Sequence, residues 1–264
     1  MLGSEQKKLE KFGFKFSKNG AHTARTIMLS ELHDLLDYVQ CISAEKTEYA
    51  DAVQVSNCLG KRSDKTRTLT YRHLVDLYTL DSNYILFRAL RFFWQRDPQG
   101  QQLLAILCAY CRDSLFRSTA FFVLDFSDGQ VLSRQALESY IESNNSGRFS
   151  PATLKSTAQN INSSWTQAGH LSGRASKVRS HATPTPGSVA FALLLGYLSG
   201  LRGEFLFKSE YIKLLDCDFI KAMELAETAS YSGWLVLKRV GQVVEVDFPN
   251  LINTQEREWL YEQN

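Results

Sequence analysis

Leu154, Ala158, Ile161, Trp165 and Ala168 step by four, three, four and three along the chain. That spacing gathers all five on one face of an α-helix and scatters them over both faces of a strand. Ser150 stands where an N-cap oxygen is needed, Pro151 at the first helical position, and Gly169 at the natural stop. Upstream, Ser133 caps a second helix carrying Leu137, Tyr140 and Ile141, closed by the polar turn SNNSGRF. Downstream, HLSGRASKVRSHATPTPGSVAF is rich in Gly, Ser, Pro and basic residues with little apolar period, and predicts a loop or ragged hairpin. Helix, turn, helix and basic hairpin is the order of a winged helix.

The rest of the chain is also read as largely helical. Thr23 to Val39 places Ile27, Leu32, Leu35, Leu36 and Val39 at helical spacing, and Tyr49 to Val55 predicts a short helix before a turn from Asn57 to Arg62. Ser63 and Asp64 offer caps to a helix reaching Tyr78, with Thr70, Tyr71, Leu74, Leu77 and Tyr78 on one face and Lys65, Thr68 and Arg72 opposite. Two long apolar helices follow, Tyr84 to Gln95 and Gln101 to Leu124, parted by Asp97, Pro98 and Gly100. Val189 to Leu201 (VAFALLLGYLSGL) reads as a core helix, too short for the roughly 20 residues that cross a bilayer. Helical spacing resumes from Ser209 through Ala229, and WLVLKRV and VVEVDF form a hairpin about Gly241 and Gln242. The expected fold is mainly α: a helical-bundle core, winged-helix or helix-turn-helix-like modules and a small C-terminal β-hairpin. The expected divisions are an N-terminal helical domain at 1–129 with a basic helix-turn-helix-like segment at 49–80, a winged-helix-like module with a basic wing at 130–205, and a helix-plus-hairpin module at 206–264.

Charge is distributed unevenly over this frame. From Ser143 to Gly203, 61 residues pass without an Asp or Glu, although the sequence holds 28 of them. Arg148, Lys155, Arg174, Lys177, Arg179 and Arg202 give that window a net charge of +6, while the other residues, 24 basic and 28 acidic, sum to −4. Carboxylates vanish where a surface must lie against phosphate, because each one adds repulsion; a Ser/Asn/Gly-rich linker lacking acids would read the same way. The last third of the window is largely core helix, so the informative portion is Arg148 to His181. On the Ser150 helix, away from the apolar face, lie Lys155, Ser156, Gln159, Asn162, Ser163 and Thr166. Such amides and hydroxyls reach base edges and phosphates, although a merely solvated helix has a similar surface. Arg174, Lys177 and Arg179 occupy the wing. A second basic cluster, Lys61, Arg62, Lys65, Arg67 and Arg72 against Asp64 alone, sits at the start of the Ser63 helix, where the macrodipole disfavours cations.

Other function classes find less support. With 44% hydrophobic and 22% charged residues the chain is globular and not disordered. Cys41, Cys58, Cys108, Cys111 and Cys217 lack zinc-site spacing and suggest a reducing compartment; Cys108 and Cys111 read as buried small hydrophobes. The start MLGSEQKKLEKFGFKF has no signal-peptide pattern, so the expected location is cytoplasmic, without membrane insertion. No phosphate loop, G-x-S-x-G elbow or H-E-x-x-H motif occurs. His22 and His33, Asp34 with Asp37, and Asp216 with Asp218 carry no diagnostic metal spacing. No catalytic residue, metal or cofactor is expected.

Two stretches carry a family likeness: VQVSNCLGKRSDKTRTLTYRHLVDLYTL (Val53 to Leu80) and SPATLKSTAQNINSSWTQAGHL (Ser150 to Leu171). They resemble the BrxA family of the BREX anti-phage systems, the first in its Asn-Leu-basic-Ser helix start, the second in its Thr-containing helix with a short hydrophobic tail. The likeness spans Val53 to Leu215; the longer N-terminus and the Trp234 to Phe248 hairpin depart from it. It implies a helical core with helix-turn-helix character, duplex DNA binding without catalysis, and partners among a defence system's other proteins. The sequence therefore predicts a non-enzymatic protein that binds double-stranded DNA. The rival expectations are a scaffold docking an acidic protein partner and an RNA-binding protein, the latter without an evident aromatic stacking platform.

Overall fold

Side-chain oxygens set where several helices of this chain begin. In the computed structural model, which describes residues 2–18, 20–241 and 243–261, Ser63 accepts from the Thr66 N–H at 3.3 Å, Ser133 from Ala136 at 3.1 Å and Ser150 from Thr153 at 3.2 Å. Each satisfies one of the donors that a helix start leaves without an internal partner. The first helices are α1 (Leu2–Lys11), α2 (Leu29–Tyr38), α3 (Lys46–Gln54), α4 (Asp64–Tyr78), α5 (Ile85–Arg96), α6 (Gln101–Arg112) and α7 (Ser114–Leu124). Then come β1 (Val131–Leu132), α8 (Arg134–Asn144), α9 (Pro151–Gln167), β2 (Leu171–Ser172) and β3 (Lys177–Arg179). The chain continues with α10 (Pro186–Leu198), α11 (Glu204–Phe207), α12 (Glu210–Lys213), α13 (Phe219–Tyr231), β4 (Val236–Val240), β5 (Val243–Asp247) and α14 (Thr254–Tyr261). The fold is mainly α, and among the described residues no helix is long and apolar enough to cross a membrane.

Several boundaries depart from the periodicity. The apolar run Gln101 to Leu124 is two helices, because Asp113 takes an extended backbone and its carboxylate accepts from Leu115 and Phe116, starting a new helix in mid-run. Ile27 lies outside α2: Met28 adopts a left-handed φ of 51°, so helical geometry begins only at Leu29, after a short 3-10 turn at Ala21–Thr23. A left-handed Asp216, φ 51°, likewise divides α12 from α13. The C-terminal hairpin closes on the pair Val240↔Val243; Gln242 of the expected turn lies outside the described residues.

Two compact units are built from non-consecutive segments, cutting across the blocks 1–129, 130–205 and 206–264. One comprises residues 1–14, 83–107 and 183–264, the other 15–82 and 108–182. The first unit is organised on α10, whose residues from Gly187 to Leu198 are all buried, each large apolar side chain contributing about 1.5–3 kcal/mol. Around it pack α5, α12 and α13, with Phe93 against Phe191 at 6.1 Å and Tyr197 against Phe248 at 5.7 Å. Thr185 caps α10, and the buried Asp97 carboxylate accepts from the Gly187 N–H at 2.8 Å and the Thr185 hydroxyl at 2.5 Å.

In the second unit α9 is the central element, packed against α8, β2 and the Ala21–Thr23 turn, which also touches α4. Of the expected apolar face of α4, Thr70, Leu74, Leu77 and Tyr78 are buried and Tyr71 is half-buried, and Lys65, Thr68 and Arg72 opposite are exposed. Burial pushes the Cys108 thiol up to about 12, and it lies 3.6 Å from the Leu77 carbonyl; a thiol held protonated in this way is inert packing. The expected ragged hairpin is a three-stranded antiparallel sheet of order β1-β3-β2, because Val131 and Leu132 pair with Val178 and Lys177.

Candidate nucleic-acid interface

Both faces of α9 matter to the site. Inward, Ala158, Ile161, Trp165 and Ala168 are fully buried, and Trp165 stacks on Phe116 with centroids 4.8 Å apart. Ser164 also points inward. Its hydroxyl donates to the Asn160 carbonyl at 2.8 Å and accepts from the Ile27 N–H at 2.9 Å, while His22 Nε2 lies 3.0 Å away. His22 Nδ1 is 2.8 Å from Asp113 Oδ2, which also accepts the His22 N–H at 3.0 Å. Burial works to raise the Asp113 carboxyl, but the attraction and hydrogen bond of His22, with the backbone N–H groups of Phe116 and His22, outweigh it and hold the group at about 2.

Serine, histidine and aspartate in this order have the connectivity of an acyl-transfer triad, and nothing in the sequence revealed it. Two observations separate it from one. His22 and Ser164 are 0% exposed and Asp113 1%, so no substrate carbonyl reaches the oxygen. The Ser164 hydroxyl donates to the Asn160 carbonyl and not to His22, so the imidazole is not placed to take the serine proton. The network locks α9 to the Ala21–Thr23 turn and to the start of α7, with two more bonds beside it: Asn160 Nδ2 to the His22 carbonyl at 3.0 Å and Gln167 Nε2 to Thr26 Oγ1 at 3.3 Å. Gly20 is required by the same packing, because a Cβ there would lie 2.0 Å from Asp113 Oδ1.

Outward, α9 faces a groove of about 720 Å³ walled by Gln159, Asn162 and Ser163, by β1 and the start of α8, and by Arg174 to Lys177 of the wing. Its cations are Arg134, Arg174 and Lys177, and among the described residues no carboxylate lines it. Ser133 caps α8 by accepting from the Ala136 N–H, and Ser133, Arg134 and Gln135 of this helix start line the groove. The wing tip turns at Gly173, φ 85°, where a Cβ would meet the Ser176 carbonyl at 2.2 Å. Arg134 pairs with Glu138 at 2.7 Å. Lys177 donates to the Gly173 carbonyl at 2.7 Å, and partial burial pulls its ammonium below the usual lysine range. Asn162 is a correction: expected on the outward face, it is 4% exposed, and among the described residues its buried Oδ1 has no hydrogen-bond partner.

The structure brings together some of the expected contacts and not others. Lys155, Gln159 and Arg174 are exposed and Ser163 half-buried. Ser156 and Thr166 direct their hydroxyl protons to the helix's own carbonyls of Thr153 and Asn162, at 2.9 and 2.7 Å. Arg179 is a correction: expected in the wing as a phosphate contact, it is 3% exposed and donates to the carbonyls of His170 and Ser180. Its place in β3, central in the sheet, turns it inward. Arg148 is exposed but lies away from this groove, over the Phe149 ring and bonded to Asn145 at 3.0 Å, in a second concavity with Lys18 and the start of α7. Of the other cluster, Arg62, Lys65 and Arg72 are exposed, whereas Lys61 pairs with Glu31 at 3.1 Å and Arg67 with Asp64. Arg134, Gln135 and Ser176 were not anticipated, and they enter the groove because β1 pairs with β3.

Among the described residues no group of three or more His, Cys, Asp or Glu side chains is placed to hold a metal ion. No protein-family profile matches the chain, and no curated protein sequence matches it.

Proposed function

We propose that the protein binds duplex DNA through its second unit, with α9 as the recognition helix and the β2–β3 hairpin as a wing. The order α7, β1, α8, α9, β2, β3, with the first strand on the last, is the topology of a winged helix and supports the assignment. The observation that carries it is the groove: polar α9 side chains, the N-terminus of α8 and the cations Arg134, Arg174 and Lys177 converge on one concavity without a carboxylate among the described residues. Arg62, Lys65 and Arg72 supply further cationic surface on α4, a helix that shares the Ala21–Thr23 turn with α9. Duplex binding without catalysis is also the role that the BrxA resemblance implies, and it makes the protein a DNA-contacting component of a cytoplasmic phage-defence complex.

Labelled duplex, single-stranded DNA and RNA, each titrated at two salt concentrations, test the reading. Duplex binds tightest, and Lys155→Ala, Arg174→Ala and Lys177→Ala each weaken it, lowering the salt slope by about one per lost phosphate contact. Variants that bind as the parent does refute the site; a parent that ignores duplex but co-purifies with an acidic protein refutes the function.

A further inference from the structure

Between Ser118 and Ser133 the chain holds no Lys or Arg, two carboxylates, Asp125 and Asp128, and three phenylalanines, Phe121, Phe122 and Phe126. That is the opposite chemistry to the cationic groove, whose wall begins at Val131. The fold gathers most of this segment around a concavity of about 330 Å³, lined by Phe121, Phe122 and Asp125 of α7, by Phe126 and Gln130 of the following loop and by Tyr140 of α8. Its rings hold one another: Phe122 stacks on Tyr140 with centroids 4.4 Å apart and meets Phe126 edge-on at 5.4 Å, and the Tyr140 hydroxyl donates to the Ser118 carbonyl at 3.1 Å. Phe121 is 42% exposed. Several rings elsewhere are covered by the chain's own cations, Arg96 lying 3.8 Å over Phe92, Arg148 4.8 Å over Phe149 and Arg202 3.6 Å over Tyr197. Among the described residues no cation lies over the four rings of this concavity, and Asp125 forms no ion pair.

Ring faces attract a cation through their quadrupole, and a carboxylate beside them repels phosphate. A nucleic-acid backbone is therefore disfavoured here and a positive side chain favoured. Guanidinium suits the site better than ammonium, because it is planar, stacks on ring faces, is more weakly hydrated and forks onto a carboxylate. We propose that this aromatic concavity is a docking site for an arginine side chain of a partner protein, the guanidinium lying against Phe121 and donating to Asp125. The site uses no residue assigned to duplex binding, so each reading stands or falls without the other.

The test titrates the full-length protein with Nα-acetyl-arginine amide and with its neutral citrulline counterpart, following the aromatic carbon–proton resonances by NMR. The arginine probe shifts the resonances of Phe121, Phe126 and Tyr140 saturably, and the citrulline probe leaves them in place. Asp125→Asn weakens the arginine probe about tenfold, the loss of one charge-assisted contact, and Phe121→Leu weakens it as well. Phe121 and Asp125 are both exposed, so neither substitution disturbs the core. Asp128→Asn, which removes a carboxylate outside the concavity, binds the probe as the parent does. Equal shifts from arginine and citrulline, unchanged affinity in Asp125→Asn, or a loss in Asp128→Asn as large as that in Asp125→Asn overturns the proposal. So does a concavity whose resonances respond to deoxyadenosine and not to arginine, the result expected of a base-stacking platform.

Discussion

Replacing Asp113 by Asn removes one charge from the interior of the second unit and leaves its shape nearly unchanged. In Asp113→Asn the new carboxamide oxygen still caps Leu115 and Phe116, each 3.0 Å from the carboxylate in the parent, but the amide nitrogen then faces the His22 N–H groups, donor against donor. The magnitude follows from proton linkage. A carboxyl held at about 2 in the fold, against about 3.9 in a free chain, represents roughly 2–3 kcal/mol of stability. The folded value is the depressed one, so the contribution is complete above pH 4 and is lost as pH falls through 2. Urea unfolding followed by far-UV circular dichroism at pH 7, 4, 3 and 2 measures both consequences. At pH 7 Asp113→Asn is less stable by roughly 2–3 kcal/mol, a midpoint shift of about 1 M at ordinary urea dependence. Between pH 4 and pH 2 the difference shrinks toward zero, since the parent protonates the group that the variant lacks. Equal stability at pH 7, or a difference that persists at pH 2, refutes the assignment of Asp113 as a buried carboxylate sustained by His22.

Gly20→Ala drives a Cβ to 2.0 Å from Asp113 Oδ1 and destabilises by about 1–3 kcal/mol through overpacking; combined with Asp113→Asn it costs less than the two separate losses together, measurable by a double-mutant cycle. Arg179→Ala removes a buried guanidinium that bonds the His170 carbonyl at 3.2 Å, so it lowers stability by about 2 kcal/mol while leaving the salt slope of duplex binding at the parental value.

Helix starts were legible because capping is local: Ser63, Ser133 and Ser150 each act on an N–H three residues away. The face of α9 was legible because Ala158, Ile161, Trp165 and Ala168 repeat at the helical period. What escaped is non-local or too short to show a period. A strand of two residues, Val131–Leu132, has no alternation to detect, yet its pairing with β3 makes a sheet of the hairpin and walls the groove. His22 lies 91 residues from Asp113 and 142 from Ser164, and no spacing rule joins them. Counting cations treats every arginine as exposed, which fails at Arg179 because a strand flanked on both sides turns alternate side chains inward.

The polar anchoring of α9 bears on how its outer stripe works. Apolar contacts alone tolerate small rotations, since one methyl replaces another at little cost. The bonds of Ser164 to Ile27 and His22, of Asn160 to His22 and of Gln167 to Thr26 hold at one register only, and a rotated helix strands the buried His22–Asp113 pair. The backbone positions of Lys155, Gln159 and Ser163 are therefore fixed by the fold, so duplex binding as proposed does not include the ordering of the helix. Asp113→Asn, studied in conditions where it stays folded, then weakens duplex binding by loosening α9 without removing a phosphate contact. Its affinity falls while its salt slope remains parental, the reverse of Lys155→Ala, whose slope drops by about one. A reduced slope in Asp113→Asn, or unaltered affinity, refutes the idea that the buried network preorganises the recognition surface.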